Sequence, residues 1–261
     1  MNAPPAIPPA LATLATIAEA AGAAIMAVRR AGFEVTYKDD ASPLTKADLA
    51  AHETILRGLA KHFPGIPVLS EEGADIPYAE RARWQRLFIV DPLDGTKEFV
   101  KELGEFCVCI ALAQDGFPLL GAVHVPVWGK TYAGGLGLGA YRRENNGAWQ
   151  AIRVRQPDHQ AGLTVLASRS HPSPDTETYL ASKNVRERIT AGSALKFCLV
   201  AEGAADLYPR LNTGMREWDT AAGQAVVEGA GGSVLTLSGQ RLAVNKPQLE
   251  NPPFITSAQP L

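Results

Sequence analysis

From Leu163 onward the chain settles into an alternation that few folds can satisfy. "LTVLAS" reads as a strand, Pro174 to Ser182 as a helix and "RERIT" as a strand. Ser193 to Glu202 reads as a helix, "ADLYP" as a strand, and Trp218 to Gly229 as a helix before "GSVLTL". Short apolar runs separated by helical stretches build a mixed or parallel sheet covered by helices. The part before it has a different rhythm. A helix is expected from Leu11 to Val28, with Leu11, Leu14, Ile17, Ala21, Ile25 and Val28 at helical spacing, and a second from about Thr45 to His62. Between them, Gly32 and "KDDASPLTKAD" read as a break and a loop. "IPVLS" and Leu87 to Val90 are short strands. Phe106 to Ala113 and Leu119 to Val125 form a hairpin through "QDGFP", and more short strands follow to about Val154. The expected class is α/β, with an α+β N-terminal subdomain over residues 1–157 and an α/β C-terminal subdomain over residues 158–261. The boundary falls in "RQPDHQAG", and the tail "NKPQLENPPF" is expected to be irregular.

Composition removes several classes of function. With 25 Lys and Arg against 27 Asp and Glu, the net charge of -2 excludes a general nucleic-acid binder, though not a local basic pocket. Leu11 to Val28 approaches membrane-spanning length with Glu19 as its single charge. Its alanine-rich composition and one stripe of larger residues instead suit a helix packed in a core. "MNAPPAIPPA" lacks the basic opening of a secretory signal. Cys107, Cys109 and Cys198 complete neither a zinc site nor a disulfide framework, so buried thiols in a reducing compartment are expected. The chain is therefore expected in the cytoplasm without an integral membrane span, either free or attached at the inner face of the membrane. Monomer and homodimer both remain open.

The chemistry is written in "VDPLDGTKEFVKELGEF", Val90 to Phe106. Asp91 ends an apolar strand, Pro92 fixes the backbone that follows, and Asp94-Gly95 turns the chain. Taken alone, Asp-Pro and Asp-Gly are ordinary turn dipeptides. An EF-hand fails, because Leu93 and Thr96 occupy its third and sixth positions. Yet both carboxylates can face one point with the Leu93 carbonyl between them, a donor set for Mg²⁺ or Mn²⁺. Gly95-Thr96 opens a helical stretch whose free N–H groups suit a phosphate. Glu71-Glu72 and Asp219 are further carboxylates at strand or helix ends. "GLGLGA" (Gly135 to Ala140) leads into a polar turn, which argues against a dinucleotide loop.

Taken together, "SEE", "DPLDGTKEF" and "WDTAAGQAVVEGAGG" resemble the lithium-sensitive, magnesium-dependent inositol monophosphatase superfamily. The resemblance spans nearly the whole chain and is nearest to the CysQ-type 3′(2′),5′-bisphosphate nucleotidase branch. It implies the layered α-β-α-β-α sandwich of the inositol monophosphatase and fructose-bisphosphatase type. It also implies two or three Mg²⁺ ions, replaceable by Mn²⁺, held by Glu71, Asp91, the Leu93 carbonyl, Asp94 and Asp219. Thr96, hydrogen-bonded to Asp48 of "TKAD", would orient and help deprotonate the attacking water, with Asp48, Thr96 and Glu71 as the catalytic set. In isolation Asp48 reads equally as a charge favouring the helix dipole. Glu72 is either a positioning carboxylate or simply exposed.

Gly95, Thr96, Ser168, His171, Gly192, Ser193 and Lys196 would face the substrate. Gly192 and Ser193 precede a helix whose N–H groups can bind an anion, although Ser193 also reads as a plain N-cap. His171 and Lys196 would supply the second basic contact that a nucleotide with two phosphates needs, and Arg210 is a further candidate. Ala194 stands where that branch usually has a second serine, which puts one contact in doubt. Lys97-Glu98 favours the nucleotidase branch. The implied activity is removal of the 3′-phosphate of adenosine 3′,5′-bisphosphate (PAP) to give AMP, with PAPS as a further substrate and a link to sulfur metabolism. Inositol monophosphatase or sugar-phosphate phosphatase activity is the alternative.

Overall fold

The computed structural model describes residues 6–33, 35–37, 43–73, 75–168 and 173–259. Helix α1 (Pro9–Ala31) begins on a proline, whose missing N–H costs nothing at that position. Strands β1 (Val35–Tyr37) and β2 (Pro43–Thr45) pair antiparallel in the stretch expected to be a loop. Three-residue strands carry too little alternation to be read from sequence. The chain continues through α2 (Lys46–His62), β3 (Val68–Ser70), the single turn α3 (Tyr78–Arg81), β4 (Arg86–Asp94) and the short α4 (Thr96–Val100). Next come β5 (Cys107–Gln114), β6 (Phe117–Val125), β7 (Lys130–Gly135), β8 (Gly139–Glu144) and β9 (Gln150–Ile152). The second half holds β10 (Leu163–Ser168), α5 (Pro174–Ala181), β11 (Val185–Ala191), α6 (Leu195–Ala201), β12 (Leu207–Arg210), α7 (Ala221–Gly229), β13 (Ser233–Thr236) and β14 (Phe254–Ser257).

Strands β3 to β9 form a seven-stranded sheet in sequence order, antiparallel except for the β3–β4 pair. The five-stranded sheet runs β11-β10-β12-β14-β13, parallel across β11, β10 and β12 and antiparallel beyond. Side chains alternate faces along a strand, so each face of the first sheet feeds a separate core. Phe88, Val90, Val108 and Ile110 pack with Leu11, Leu14, Ile25, Ile55 and Leu59 of α1 and α2. Leu87, Ile89, Cys107 and Cys109 pack with Leu195, Phe197, Val226, Tyr208 and Phe254 on the other side. Helices α6 and α7 are thus sandwiched between the sheets. Helix α5 covers the far face of the second sheet, where Leu180 meets Leu163, Val165 and Leu207. The result is the expected α-β-α-β-α order.

One continuous core spans residues on both sides of the 155–162 segment. Close approach of α7 to the first sheet explains a glycine: a Cβ on Gly121 of β6 would sit 2.3 Å from the Ala222 carbonyl oxygen. Burial on both faces is also why β4 and β5 read as unbroken apolar runs. Helix α1 is long and apolar enough by length and composition to cross a membrane, but its stripe of Leu11, Leu14, Ile17, Ala18, Ala21 and Ile25 is buried in the core. "GLGLGA" forms the β7–β8 turn. The tail expected to be irregular ends in β14, which inserts between β12 and β13.

Candidate active site

A break in strand register brings the two aspartates together. Asp91 pairs with Cys109 and Asp94 with Cys107, so three steps along β4 match two along β5. In a regular strand, residues three apart point to opposite faces. The extra residue of the bulge puts Asp91 and Asp94 on one face, the face of Cys107 and Cys109. Leu93 packs on the opposite face, in the α1–α2 core. Parallel pairing of β3 with β4 sets Ser70 beside Val90, and the Glu71 N–H donates to the Val90 carbonyl at 3.1 Å. Glu71 therefore stands next to Asp91. Asp219 arrives from the turn before α7, where its Oδ2 accepts from the Arg216 N–H at 2.7 Å. That turn is tied down by fully buried Glu217, which accepts from Lys246 Nζ at 2.6 Å and from the Lys246 N–H at 2.9 Å. Carboxylate oxygens of Glu71, Asp91 and Asp219 all lie within 4.8 Å of one another.

Three acids held this closely resist ionising together. Burial, then the Glu71, Asp94 and Asp219 carboxylates, push Asp91 well above the ordinary range, although the Leu93 N–H donates to it at 3.0 Å. Burial and then Asp94 do the same to Asp219. Asp94 rises to about 7 through burial, opposed by Lys196 and by the Ala194 N–H, which donates to its Oδ2. An oxygen-only cluster that repels itself is one that a hard divalent cation would relieve, so the residues present fit such an ion.

Asp48 makes hydrogen bonds in two directions. Its Oδ2 accepts from the Thr45 N–H and Oγ, each at 2.7 Å, and the Ala47 N–H donates to Thr45 Oγ1 at 3.1 Å, closing a capping box at the start of α2. Its Oδ1 lies 3.3 Å from Thr96 Oγ1, which also lies 3.2 Å from the Leu93 carbonyl oxygen. The cap fixes Asp48, and Asp48 in turn orients Thr96. Burial raises the Asp48 pKa, with the Thr45 hydrogen bonds opposing.

On the other side of the site the structure departs from expectation. Ser193 does not cap a helix: its φ is +51°, and the seven-residue α6 starts at Leu195 with no side-chain cap. Its hydroxyl instead sits 2.9 Å from the carbonyl oxygens of both Asp94 and Glu105. That hydroxyl occupies the side-chain direction of Gly95. A Cβ on Gly95 would lie 2.1 Å from Ser193 Oγ, and the Gly95 φ of +94° is itself a glycine conformation. The Gly192 N–H donates to Glu105 Oε2 at 2.8 Å, so this amide serves a protein carboxylate and not an open anion cradle. Lys196, expected to face the substrate, is 4% exposed. It donates to the Ala191 and Ser193 carbonyls at 3.3 and 2.9 Å, and its Nζ lies 5.2 Å from the Tyr208 ring centroid. Burial lowers its pKa to about 8, with Asp94 opposing that shift. Ser168 ends β10, level with Ala191 on β11; its side chain and His171 lie outside the described residues.

The inositol monophosphatase family profile matches residues 9–258. The chain belongs to the inositol monophosphatase family. It is 46% identical over 229 residues to the 3′(2′),5′-bisphosphate nucleotidase CysQ of Escherichia coli O157:H7, covering 87% of this chain and 90% of that protein. The crystal structure of CysQ from Bacteroides thetaiotaomicron, a bacterial member of the same family, is similar with a TM-score of 0.81 at 40% identity, over 95% of this chain and 96% of that one. The SuhB extragenic suppressor protein of Bartonella henselae is similar with a TM-score of 0.76 at 26% identity, covering 95% and 93%.

In this family member, sequence reasoning missed Glu105, which holds both the Gly192 amide and the Ser193 hydroxyl. No local signal marks it, because its partners lie almost ninety residues away along the chain. Glu98 is buried in α4, just after Gly95 and Thr96.

Proposed function

We propose that this chain is a Mg²⁺-dependent 3′(2′),5′-bisphosphate nucleotidase that removes the 3′-phosphate of PAP to give AMP and phosphate, with PAPS as a second substrate. The observation that carries the reading is the meeting of Glu71, Asp91 and Asp219 oxygens within 4.8 Å, in a chain 46% identical to a CysQ nucleotidase. Glu71, Asp91, the Leu93 carbonyl, Asp94 and Asp219 would hold the cation. When bound, it supplies Lewis-acid polarisation of the phosphoryl oxygens and a lowered pKa for the attacking water.

The protein's own groups do the positioning. Asp48, fixed by the capping box, takes the hydrogen bond from Thr96 Oγ1. The threonine lone pair is thereby free to accept from a water and aim it at phosphorus. A hydroxyl is a weak base, so the proton passes through Thr96 to Asp48, whose raised pKa suits it to receive one. Attack forms the new P–O bond as the bond to the ribose 3′-oxygen breaks; that oxygen takes a proton from solvent to leave as the 3′-hydroxyl, and Asp48 returns the proton it received to solvent. The Ser193 hydroxyl and the Ala194 N–H hold the Asp94 backbone and side chain in place meanwhile.

The test is phosphate release in Mg²⁺ from PAP and from inositol 1-phosphate, side by side, with and without lithium. Higher kcat/KM for PAP and inhibition by lithium are expected. A preference for inositol 1-phosphate overturns the nucleotidase reading in favour of the inositol or sugar-phosphate alternative.

A further inference from the structure

Asp219 is the one candidate ligand that comes from the second half of the chain, and it stands on a turn outside the strands of both sheets. A stretch nearer the C-terminus wraps that turn. Glu217 accepts from the Asn245 and Lys246 N–H groups and from Lys246 Nζ. Lys246 Nζ also donates to Asn251 Oδ1 at 3.0 Å. Asn251 Nδ2 in turn donates to the Arg216 carbonyl and to Thr220 Oγ1, each at 2.9 Å. Residues 245–251 thereby bracket Asp219, fixing the chain on both sides of it.

Arg81, at the end of α3 and 3% exposed, fastens this wrap to the first half of the chain. Its Nη1 donates to Asn245 Oδ1 at 2.9 Å and to the Lys246 carbonyl at 3.2 Å, and its Nη2 to the Pro247 carbonyl at 3.4 Å. Asn245 Nδ2 donates back to the Arg81 carbonyl at 2.9 Å. The Arg81 Nε donates in another direction, to the Ile76 carbonyl at 2.9 Å, in the loop that follows Glu71. One side chain therefore joins the loop leaving Glu71 to the wrap that holds Asp219. The apolar core between the sheets presses them together without direction. Hydrogen bonds at fixed angles supply the direction. A buried charge costs more to desolvate than an apolar side chain of similar volume, so filling space alone does not call for arginine here.

We infer that Arg81 is a positioning residue that sets the distance between Glu71 and Asp219, and through it the affinity of the carboxylate cluster for a divalent cation. It acts through the Ile76 loop on one side and the 245–251 wrap on the other. Ligand distances in cation sites hold to within about 0.2 Å, so a small slide of one half against the other weakens binding. The planar guanidinium, with donors in fixed directions, holds the two sides in register as a flexible ammonium does not. The inference rests on the cation-dependent reading of the site and deepens it.

The experiment titrates Mn²⁺ alone into wild type, Arg81→Met, Arg81→Lys and Asn245→Gly, reading free Mn²⁺ by electron paramagnetic resonance. Melting temperature against Mg²⁺ concentration, and phosphate release from PAP over the same Mg²⁺ range, are measured in parallel. Cation affinity should fall about 10-fold in both Arg81 variants, the loss expected when a group that orients a ligand is removed. Saturating Mg²⁺ should bring kcat back close to wild type. Glu19→Leu, which breaks an ion pair elsewhere in the molecule, is the control for lost stability and should bind Mn²⁺ as wild type does. If the Arg81 variants melt lower in chelator yet keep wild-type affinity for Mn²⁺, Arg81 serves only the fold and the inference alone is overturned. A loss of kcat that excess Mg²⁺ does not restore overturns it too. If wild type itself neither binds Mn²⁺ nor melts higher in Mg²⁺, the cation-dependent reading falls and takes the inference with it. Should the Arg81 variants fail to fold, Asn245→Gly carries the comparison. It removes both side-chain bonds to Arg81, and its φ of +57° is one that glycine adopts freely.

Discussion

Two clusters of buried and half-buried polar groups sit on opposite faces of the seven-stranded sheet, and they are built to opposite rules. Beneath α1, His124 Nδ1 lies 2.9 Å from Thr131 Oγ1, Thr131 donates to Glu19 at 2.6 Å, and Glu19 takes both Arg143 Nε and its terminal nitrogen. Every link meets a complementary partner. At the end of β4, by contrast, Glu71, Asp91 and Asp219 turn like charges on one another. A network of complementary charges serves the fold. A self-repelling one stores unfavourable electrostatics that a bound cation or added protons relieve, at the expense of stability in the cation-free protein.

That contrast can be broken experimentally. The largest effect is expected from Asp91→Asn, which should lower phosphatase turnover on the order of 10³-fold, since several kcal/mol of cation-dependent stabilisation go with it. In chelator the same variant should melt higher than wild type, because one repelling charge is gone. A lower melting temperature in chelator would mean the cluster is not self-repelling. Thr96→Val should reduce kcat about 10²-fold with a smaller change in KM, the signature of a lost proton-handling group; a change confined to KM would make Thr96 a binding residue only.

Glu19→Leu should destabilise by about 2 to 3 kcal/mol in urea unfolding, because it strands the Arg143 guanidinium; the pair is partly exposed, which keeps the cost below that of a fully buried one. Kinetics should be nearly untouched. The smallest effect is one of pH. Burial lowers His124 to about 4 from an ordinary 6.5, so between those values the unfolded chain binds a proton that the folded one does not. Stability should then drop by about 2 kcal/mol from pH 7 to pH 5, measured in Mg²⁺, and His124→Gln should flatten that slope. The raised carboxylates, including Asp94 at about 7, act with the opposite sign: in chelator their folded form gains protons first as pH falls. A slope in chelator as steep as in Mg²⁺ would erase the distinction between the two clusters.

The fold was legible wherever burial and periodicity coincide. The helix over Leu11 to Val28 and the strand ending at Ser70 follow from apolar spacing, whereas β4, expected to stop at Asp91, runs on to Asp94 because pairing with β5 continues past the bulge. The meeting of Asp91 and Asp94 on one face was not legible from pleating alone, because it depends on a bulge created by pairing with β5. Ser193 misled for a similar reason. Its neighbours suggest an N-cap, but Asp94 and Glu105, distant in sequence, draw it into a left-handed conformation with its hydroxyl over Gly95. The β1–β2 hairpin escaped because nothing in three-residue strands marks a period, and β14 because its partners flank it only in space. Arg210 could be suspected from its charge, whereas the burial of its Nε without a hydrogen-bond partner is visible only in three dimensions.

The carboxylates of the acidic cluster enter the chain in order: Glu71, Asp91 and Asp94 early, and Asp219 only after β12 has been laid into the second sheet. A chain still on the ribosome that has not emerged through residue 219 therefore cannot assemble the cluster, however well its first sheet has formed. Hydrolysis needs the two sheets joined, so a fragment released before residue 219 would be chemically silent.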